Sequence, residues 1–373
     1  MKVKDVCIIT NLAPWRYGGI ETVIRELNEQ LSKEGYKFTI FCHDKYPSVK
    51  KYPYGTVYCI KEKFLYFGIL PPDFEYALNI LSKKFDIIHA HYQTVWYPLI
   101  RRFMKKIPYI VTFHGIPLKE LFIKPPYLNF DGKLRRLLGY VFERFSANSS
   151  DVVVACSKSV KEDLIKFYGI PKNKIRVIYN GVDVKKFRPI NKDKCRKMLK
   201  LDKDTFYGLS VMTEPKRKGL DILMGIVDIL KKSNAKKVKI IIIGQKGVDD
   251  DYVSFHERVP YDELALYYNS ANLFIYPSFY NGLPLVTLLA LACGVPIIVS
   301  ENTKMEHIKN GKEGYIIDKL DPNMYFEKII FLSQNKDILD SMSKAARETA
   351  LRVSWENQAR EYKKLYTELL KKK

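Results

Sequence analysis

The chain has 373 residues, 47% hydrophobic and 28% charged, with a formal net charge of +22 at pH 7. That length exceeds one typical core and predicts two α/β domains, while the apolar share excludes wholesale disorder. So large a positive charge invites a nucleic-acid partner, but no recognisable nucleic-acid module follows, and none is expected.

Met1-Lys2-Val3-Lys4-Asp5 runs straight into an apolar stretch without a signal-peptide pattern. The longest apolar run, Leu283 to Val299, is broken by Pro284, Gly294 and Pro296, so it reads as helix, turn and strand inside a core. A cytoplasmic protein is expected. The six cysteines (Cys7, Cys42, Cys59, Cys156, Cys195, Cys293) form no C-x-x-C pair and read as buried free thiols.

In chain order, Val6–Ile9 is a first strand, and a loop leads to Gly18-Gly19. The spacing of Val23, Leu27 and Leu31 predicts a helix over 20–34, stopped by Gly35. Strands follow at Phe38–Phe41, Ile87–His89 and Tyr109–Phe113, the last ending in His114-Gly115. Val152–Ala155 leads through Ser157 into a helix with Val160 and Leu164 on one face, and Ile175–Ile178 closes the first half. Asn180-Gly181-Val182-Asp183 is a turn, with the boundary near Pro189: domains are expected at 1–187 and 188–354. Strands then recur at Leu209–Met212, Lys239–Ile243, Leu273–Tyr276, Pro296–Val299 and Tyr315–Ile317, with a helix over 218–230 and a final helix over 355–373. Alternating strands and helices predict two doubly wound sheets.

In such sheets, ligands gather beyond the carboxyl ends of the strands, where helix N-termini offer unpaired N–H groups. Gly18 and Gly19 follow the first strand, where absent Cβ atoms admit either a close anion or a plain turn. Gly282-Leu283-Pro284-Leu285 opens a helix after the Leu273–Tyr276 strand, with Asn281 just before it and Leu289 within it. Arg217 and Lys218 stand at another helix start, where a cation can neutralise charge growing on a leaving phosphate. His114 ends its strand in position to hydrogen-bond a sugar or act as an acid or base. His89 and His91 flank a neighbouring strand end and either cap an acceptor or pack. Asp202-Lys203-Asp204 and Asp249-Asp250-Asp251 formally satisfy Asp-x-Asp but lie in polar connections, so no metal or other cofactor is expected. Residues 101–136 hold nine basic side chains against two acidic ones, with aromatic and apolar residues between them. That fits an anionic membrane at the inner face, an anionic acceptor, or a solvated basic surface.

In this order, these segments resemble the GT-B glycosyltransferases of the retaining family 4 type over nearly the whole chain. The resemblance is carried by Gly18-Gly19-Ile20-Glu21, His89-Ala90-His91, Thr112-Phe113-His114-Gly115, Cys156–Ser159, Val177–Asp183 with Phe187 and Pro189, Arg217-Lys218-Gly219-Leu220, Asn310–Tyr315 and Ser354-Trp355. It implies two Rossmann-like domains facing each other across a cleft, with the last helix crossing back to the first. By it, a nucleotide-diphosphate sugar binds the second domain through Lys218, Arg217 and the 281–289 stretch, with Gly18-Gly19 near the diphosphate. A glycan, lipid-linked or protein-linked acceptor would meet His89, His91 and His114. Hexosyl transfer would run with retention and without metal. Where the family pattern has Glu on both sides of the 281–289 stretch, this chain has Asn281 and Leu289. The Arg usual near the end of the Leu209–Met212 strand is also missing, with Val211 or Met212 there. Two readings follow: an active glycosyltransferase, or a catalytically degenerate GT-B protein that binds a glycan or a partner subunit.

Overall fold

The computed structural model describes residues 4–14, 18–61, 84–91, 107–123, 125–303 and 305–371. They fall into two compact units, Met1–Asn180 with Trp355–Lys373, and Gly181–Ser354.

In the first unit the strands are β1 (Lys4–Leu12), β2 (Tyr36–Asp44), β3 (Ser48–Tyr52), β4 (Gly55–Lys61), β5 (Ile87–His91), β6 (Tyr109–Phe113), β7 (Val152–Ala155) and β8 (Ile175–Val177). They lie in the order β3-β4-β2-β1-β5-β6-β7-β8, parallel except for β3 against β4. The central strands are covered on both faces: β5 and β6 are buried at every position, polar His89, His91 and Thr112 included. The helices are α1 (Gly19–Ser32), α2 (Glu120–Ile123), α3 (Phe130–Ser149) and α4 (Lys158–Tyr168). At the start of α4, Ser157 Oγ accepts the Val160 N–H at 3.1 Å. The β3–β4 hairpin was not legible in the sequence. Its outer strand, Ser48-Val49-Lys50-Lys51-Tyr52, is an exposed lysine-bearing edge rather than an apolar run.

The second unit holds β9 (Phe206–Val211), β10 (Val238–Ile243), β11 (Val253–His256), β12 (Leu273–Tyr276), β13 (Ile297–Ser300) and β14 (Gly314–Ile317), all parallel in the order β11-β10-β9-β12-β13-β14. The helix expected over 218–230 is two pieces, α5 (Pro215–Lys218) and α6 (Leu220–Lys232), separated by Gly219 at φ +79°. Leu223, Ile226, Val227 and Leu230 of α6 repeat at helical spacing and pack on Ile240, Ile242, Leu273 and Ile275. After β12 comes α7 (Leu285–Ala292); Pro284 precedes it as an extended N-cap instead of sitting in the first turn.

Residues 181–187 pack within the second unit. The Val182 N–H donates to the Val353 carbonyl at 3.1 Å, and the Arg347 guanidinium donates to the Phe187 and Val184 carbonyls at 3.0 Å each. The division at Asn180/Gly181 therefore lies earlier than the 187/188 boundary expected. The last helix, α8 (Trp355–Lys371), belongs to the first unit. All six cysteines are buried. Among the described residues no helix is long and apolar enough to cross a membrane.

Candidate active site

In the second unit, the order in which successive strands are laid down reverses about β9, whose neighbours β10 and β12 lead to opposite edges of the sheet. Crevices at such switch points, beyond the carboxyl ends of the strands, are where open α/β sheets bind ligands. Two segments meet there, the α5 turn after β9 and the loop 277–284 after β12. The Phe279 N–H donates to the Arg217 carbonyl at 3.1 Å, and the Ser278 hydroxyl donates to it at 3.3 Å. Gly219 closes this contact, since a Cβ there would stand 2.1 Å from the Pro277 carbonyl oxygen.

That clamp brings Lys218, Arg217, Asn281 and Gly282 together. Lys218 is 8% exposed, and its ammonium lies 5.5 Å from the centre of the Tyr276 ring. Among the described residues no carboxylate pairs with it. The Arg217 guanidinium is drawn instead to Glu214 at 2.6 Å. The Asn281 amide donates to the Tyr276 hydroxyl at 2.7 Å, while its oxygen accepts the Gly282 N–H at 3.0 Å. The amide expected to face a phosphate at Gly282 is thus capped by the preceding side chain. Leu283, Leu285 and Leu289 are buried hydrocarbon beside it. Tyr276, which touches both Lys218 and Asn281, carries no signal in the sequence, where an aromatic ending an apolar strand reads as core.

In the first unit, β5 and β6 deliver the histidines to one place. The rings of His91 and His114 stack with centroids 5.3 Å apart, and His91 Nδ1 lies 3.0 Å from His114 Nε2. Fully buried His89 has both ring nitrogens engaged, Nδ1 with the Tyr366 hydroxyl and Nε2 with the Thr112 hydroxyl, each at 2.7 Å. No ring nitrogen of His89 remains for an acceptor, so its place is in holding β5, β6 and α8 together. Burial, then the neighbouring His114, pushes His89 down to about 3. Burial pushes His114 down to about 4 and holds His91 well below its ordinary value. At neutral pH the three rings are uncharged, and His114 offers a hydrogen bond rather than a proton.

Gly18 is the N-cap of α1, and its carbonyl accepts the Thr22 N–H and hydroxyl at 3.1 and 2.8 Å. The Glu21 carboxylate packs where a Gly18 Cβ would project, at 1.9 Å. Gly19 is exposed, and a Cβ there would meet nothing within 4 Å. Both acidic clusters serve the backbone. Asp202 accepts the Asp204 N–H at 2.7 Å, and Asp250 accepts the Tyr252 and Val253 N–H groups while pairing with Lys231 at 2.7 Å. Within the basic stretch 101–136, Lys119 pairs with Asp163, Arg135 with Asp131, and Arg136 with Glu120. Residues 101–106 and 124 of that stretch lie outside the described residues.

Two family models match the chain in succession, Glycosyltransferase Family 4 over residues 17–186 and Glycosyl transferases group 1 over residues 205–335. An uncharacterized glycosyltransferase of Methanocaldococcus jannaschii is 26% identical over 368 residues, covering 94% of this chain and 95% of the relative. Sucrose-phosphate synthase from Thermosynechococcus elongatus superposes with a TM-score of 0.86 at 20% identity, covering 99% of this chain and 100% of that one. HepE of Anabaena, solved with UDP and glucose, superposes at 0.76 and 14% identity over 97% of this chain and 99% of its own. Each unit thus answers to its own glycosyltransferase model, and the framework they form recurs in solved relatives: the chain belongs to the GT-B glycosyltransferases and is a transferase enzyme.

Proposed function

We propose that the chain moves a hexosyl group from a nucleoside-diphosphate sugar to a glycan, lipid-linked or protein-linked acceptor, in the cytoplasm, with retention of configuration and without bound metal. The observation that carries this reading is the Lys218 ammonium, buried at the strand ends over Tyr276 with no carboxylate partner among the described residues. A buried charge without a counter-ion is costly, and the diphosphate of a donor supplies one. HepE, bound to UDP and glucose, supports the same donor class.

As the bond from the sugar to its phosphate oxygen lengthens, negative charge grows on the leaving diphosphate and the sugar takes on oxocarbenium character. Lys218 neutralises the former, a task otherwise given to a divalent cation. Metal-free transfer is supported by the two aspartate clusters, whose key carboxylates are spent on backbone amides and Lys231. The acceptor oxygen attacks the face the diphosphate leaves, and its proton departs with the leaving group. His114, uncharged, orients a sugar hydroxyl. Gly19, with open space where its Cβ would be, leaves room for a ligand beside the start of α1.

One observation favours the second reading, binding without turnover: Asn281 covers the Gly282 amide, and Leu289 presents only hydrocarbon. A panel of nucleoside diphosphates and their sugars, screened by thermal shift in chelator and followed by product assays on saccharide acceptors, separates the two. A ligand at about a hundred times its Kd adds about 2.7 kcal/mol of stability. Turnover in chelator supports transfer, whereas no binding by any nucleotide and no turnover defeat transfer and leave the second reading, binding of a glycan or a partner subunit without catalysis.

A further inference from the structure

Helix α3 is built the wrong way round for a core helix. The side chains it buries are Glu143, Ser146 and Ala147, and Ser146 hydrogen-bonds the Tyr109 hydroxyl at 2.9 Å. Its exposed side chains include Phe130 (81%), Leu134 (40%), Leu137 (53%) and Val141 (57%). These positions step by four, three and four, so at about 100° per residue they fall within an arc of roughly 60°. They form one apolar ridge about 16 Å long. Asn129 fixes where the ridge begins, its side chain accepting the Gly132 N–H at 2.9 Å. Lys133 and Arg144, both exposed, border the ridge on one side. Arg144 donates to the Tyr140 hydroxyl at 3.0 Å, and no carboxylate among the described residues pairs with Lys133. Arg135, on the other flank, pairs with Asp131 across an exposed ion pair.

We infer that the outer face of α3 seats the first unit on an anionic bilayer, with Phe130, Leu134, Leu137 and Val141 entering the interface and Lys133 and Arg144 meeting lipid phosphates. A convex ridge, apolar along its crest and cationic at its margin, matches a plane of hydrocarbon beneath negative headgroups, and the long cationic side chains reach back to the phosphates. A second copy fits poorly, because pairing two such ridges sets cations against cations at the margin with no acidic row to meet them. The surface narrows and shifts the 101–136 stretch, whose basic residues and interleaved aromatic and apolar residues fit a membrane in the sequence. Lys119 and Arg136 of that stretch hold Asp163 and buried Glu120 inside the fold, and the ridge runs on to Val141.

The test is flotation of the full chain with vesicles, without donor or acceptor, so that its outcome is independent of the transfer reading. Vesicles of phosphatidylcholine with about one third phosphatidylglycerol should bind the chain, pure phosphatidylcholine should bind it at least about tenfold less, and added salt should weaken binding. Leu134→Glu with Leu137→Glu should lower binding to the anionic vesicles by about tenfold or more, with unfolding temperature unchanged because both residues are already exposed. Lys133→Glu, which leaves the ridge whole, should weaken binding by roughly tenfold through charge alone. Equal binding to neutral vesicles, or unaltered binding by both variants, overturns the inference. So does a fall in oligomeric mass in the leucine variant, which would give the ridge to a second copy. Absence of vesicle binding by the native chain also overturns it and hands the ridge to a protein partner.

Discussion

The two strand-end centres solve opposite problems with similar scaffolds. In the first unit, β5 and β6 carry His89, His91 and His114 into a site so buried that all three rings are held uncharged. In the second, the α5 turn and the loop after β12 leave one ammonium over an aromatic ring with no carboxylate partner among the described residues. One centre excludes charge and keeps hydrogen-bonding geometry; the other stores a charge and waits for its complement. A parallel sheet supplies the location, and the loops decide the electrostatics.

Removing the stored charge is the strongest way to break this contrast. Lys218→Ala is expected to lower kcat/KM by roughly a hundred- to a thousandfold while the chain stays folded, the size of losing one preorganised donor to a developing anion. Steady-state kinetics beside a thermal melt checks it. A variant with near-native turnover would mean that the two centres do not differ in the way described.

The uncharged centre is probed next, through pH. An ordinary histidine titrates near 6.5, whereas the folded chain holds His89 near 3 and His114 near 4. Between those values the unfolded chain binds protons that the folded chain refuses. The stability these rings allow is therefore complete above about pH 6.5 and declines as pH falls toward 4, by about 1.4 kcal/mol per pH unit for each ring. Denaturant titrations at pH 7, 6 and 5 measure the slope. His89→Ala should flatten it, and should cost about 2–4 kcal/mol at pH 7 because the Tyr366 and Thr112 hydroxyls lose their buried partner.

The smallest effect sharpens the picture of the second centre. Asn281→Ala uncovers the Gly282 amide and frees the Tyr276 hydroxyl. Nucleoside diphosphate binding should then tighten a few-fold, about 1 kcal/mol, by titration calorimetry. Weaker binding would show that Asn281 holds the loop open for the ligand instead of covering it.

Much of this layout was legible in the residues. Tyr109–Phe113, Val152–Ala155 and Leu273–Tyr276 are strands at the bounds expected, because short apolar runs between turn signals have few alternatives inside a parallel sheet. Lys218, Gly282 and the histidines stood out by position after such strands. Tyr276 did not, since nothing local separates an aromatic that packs from one that lies under a cation. Nor could spacing reveal that Asn281 folds back onto the next amide, a choice made by loop geometry. The β3 edge and β11 escaped because a lysine-bearing edge and a four-residue strand give little pattern to read. In α3 the apolar period was present, but periodicity names a face without saying whether protein or something else lies against it.

Helix α8 carries a consequence for biosynthesis. Its Tyr366 grips His89, and its Tyr362 hydroxyl lies 3.4 Å from that of Thr112, both inside a unit whose sheet is encoded before residue 181. On the ribosome the first sheet therefore emerges early yet lacks its closing helix until all of Gly181–Ser354 has been made. The middle of the gene product can finish maturing before its beginning does, and a nascent chain stalled short of residue 362 would hold a histidine pocket with one wall missing.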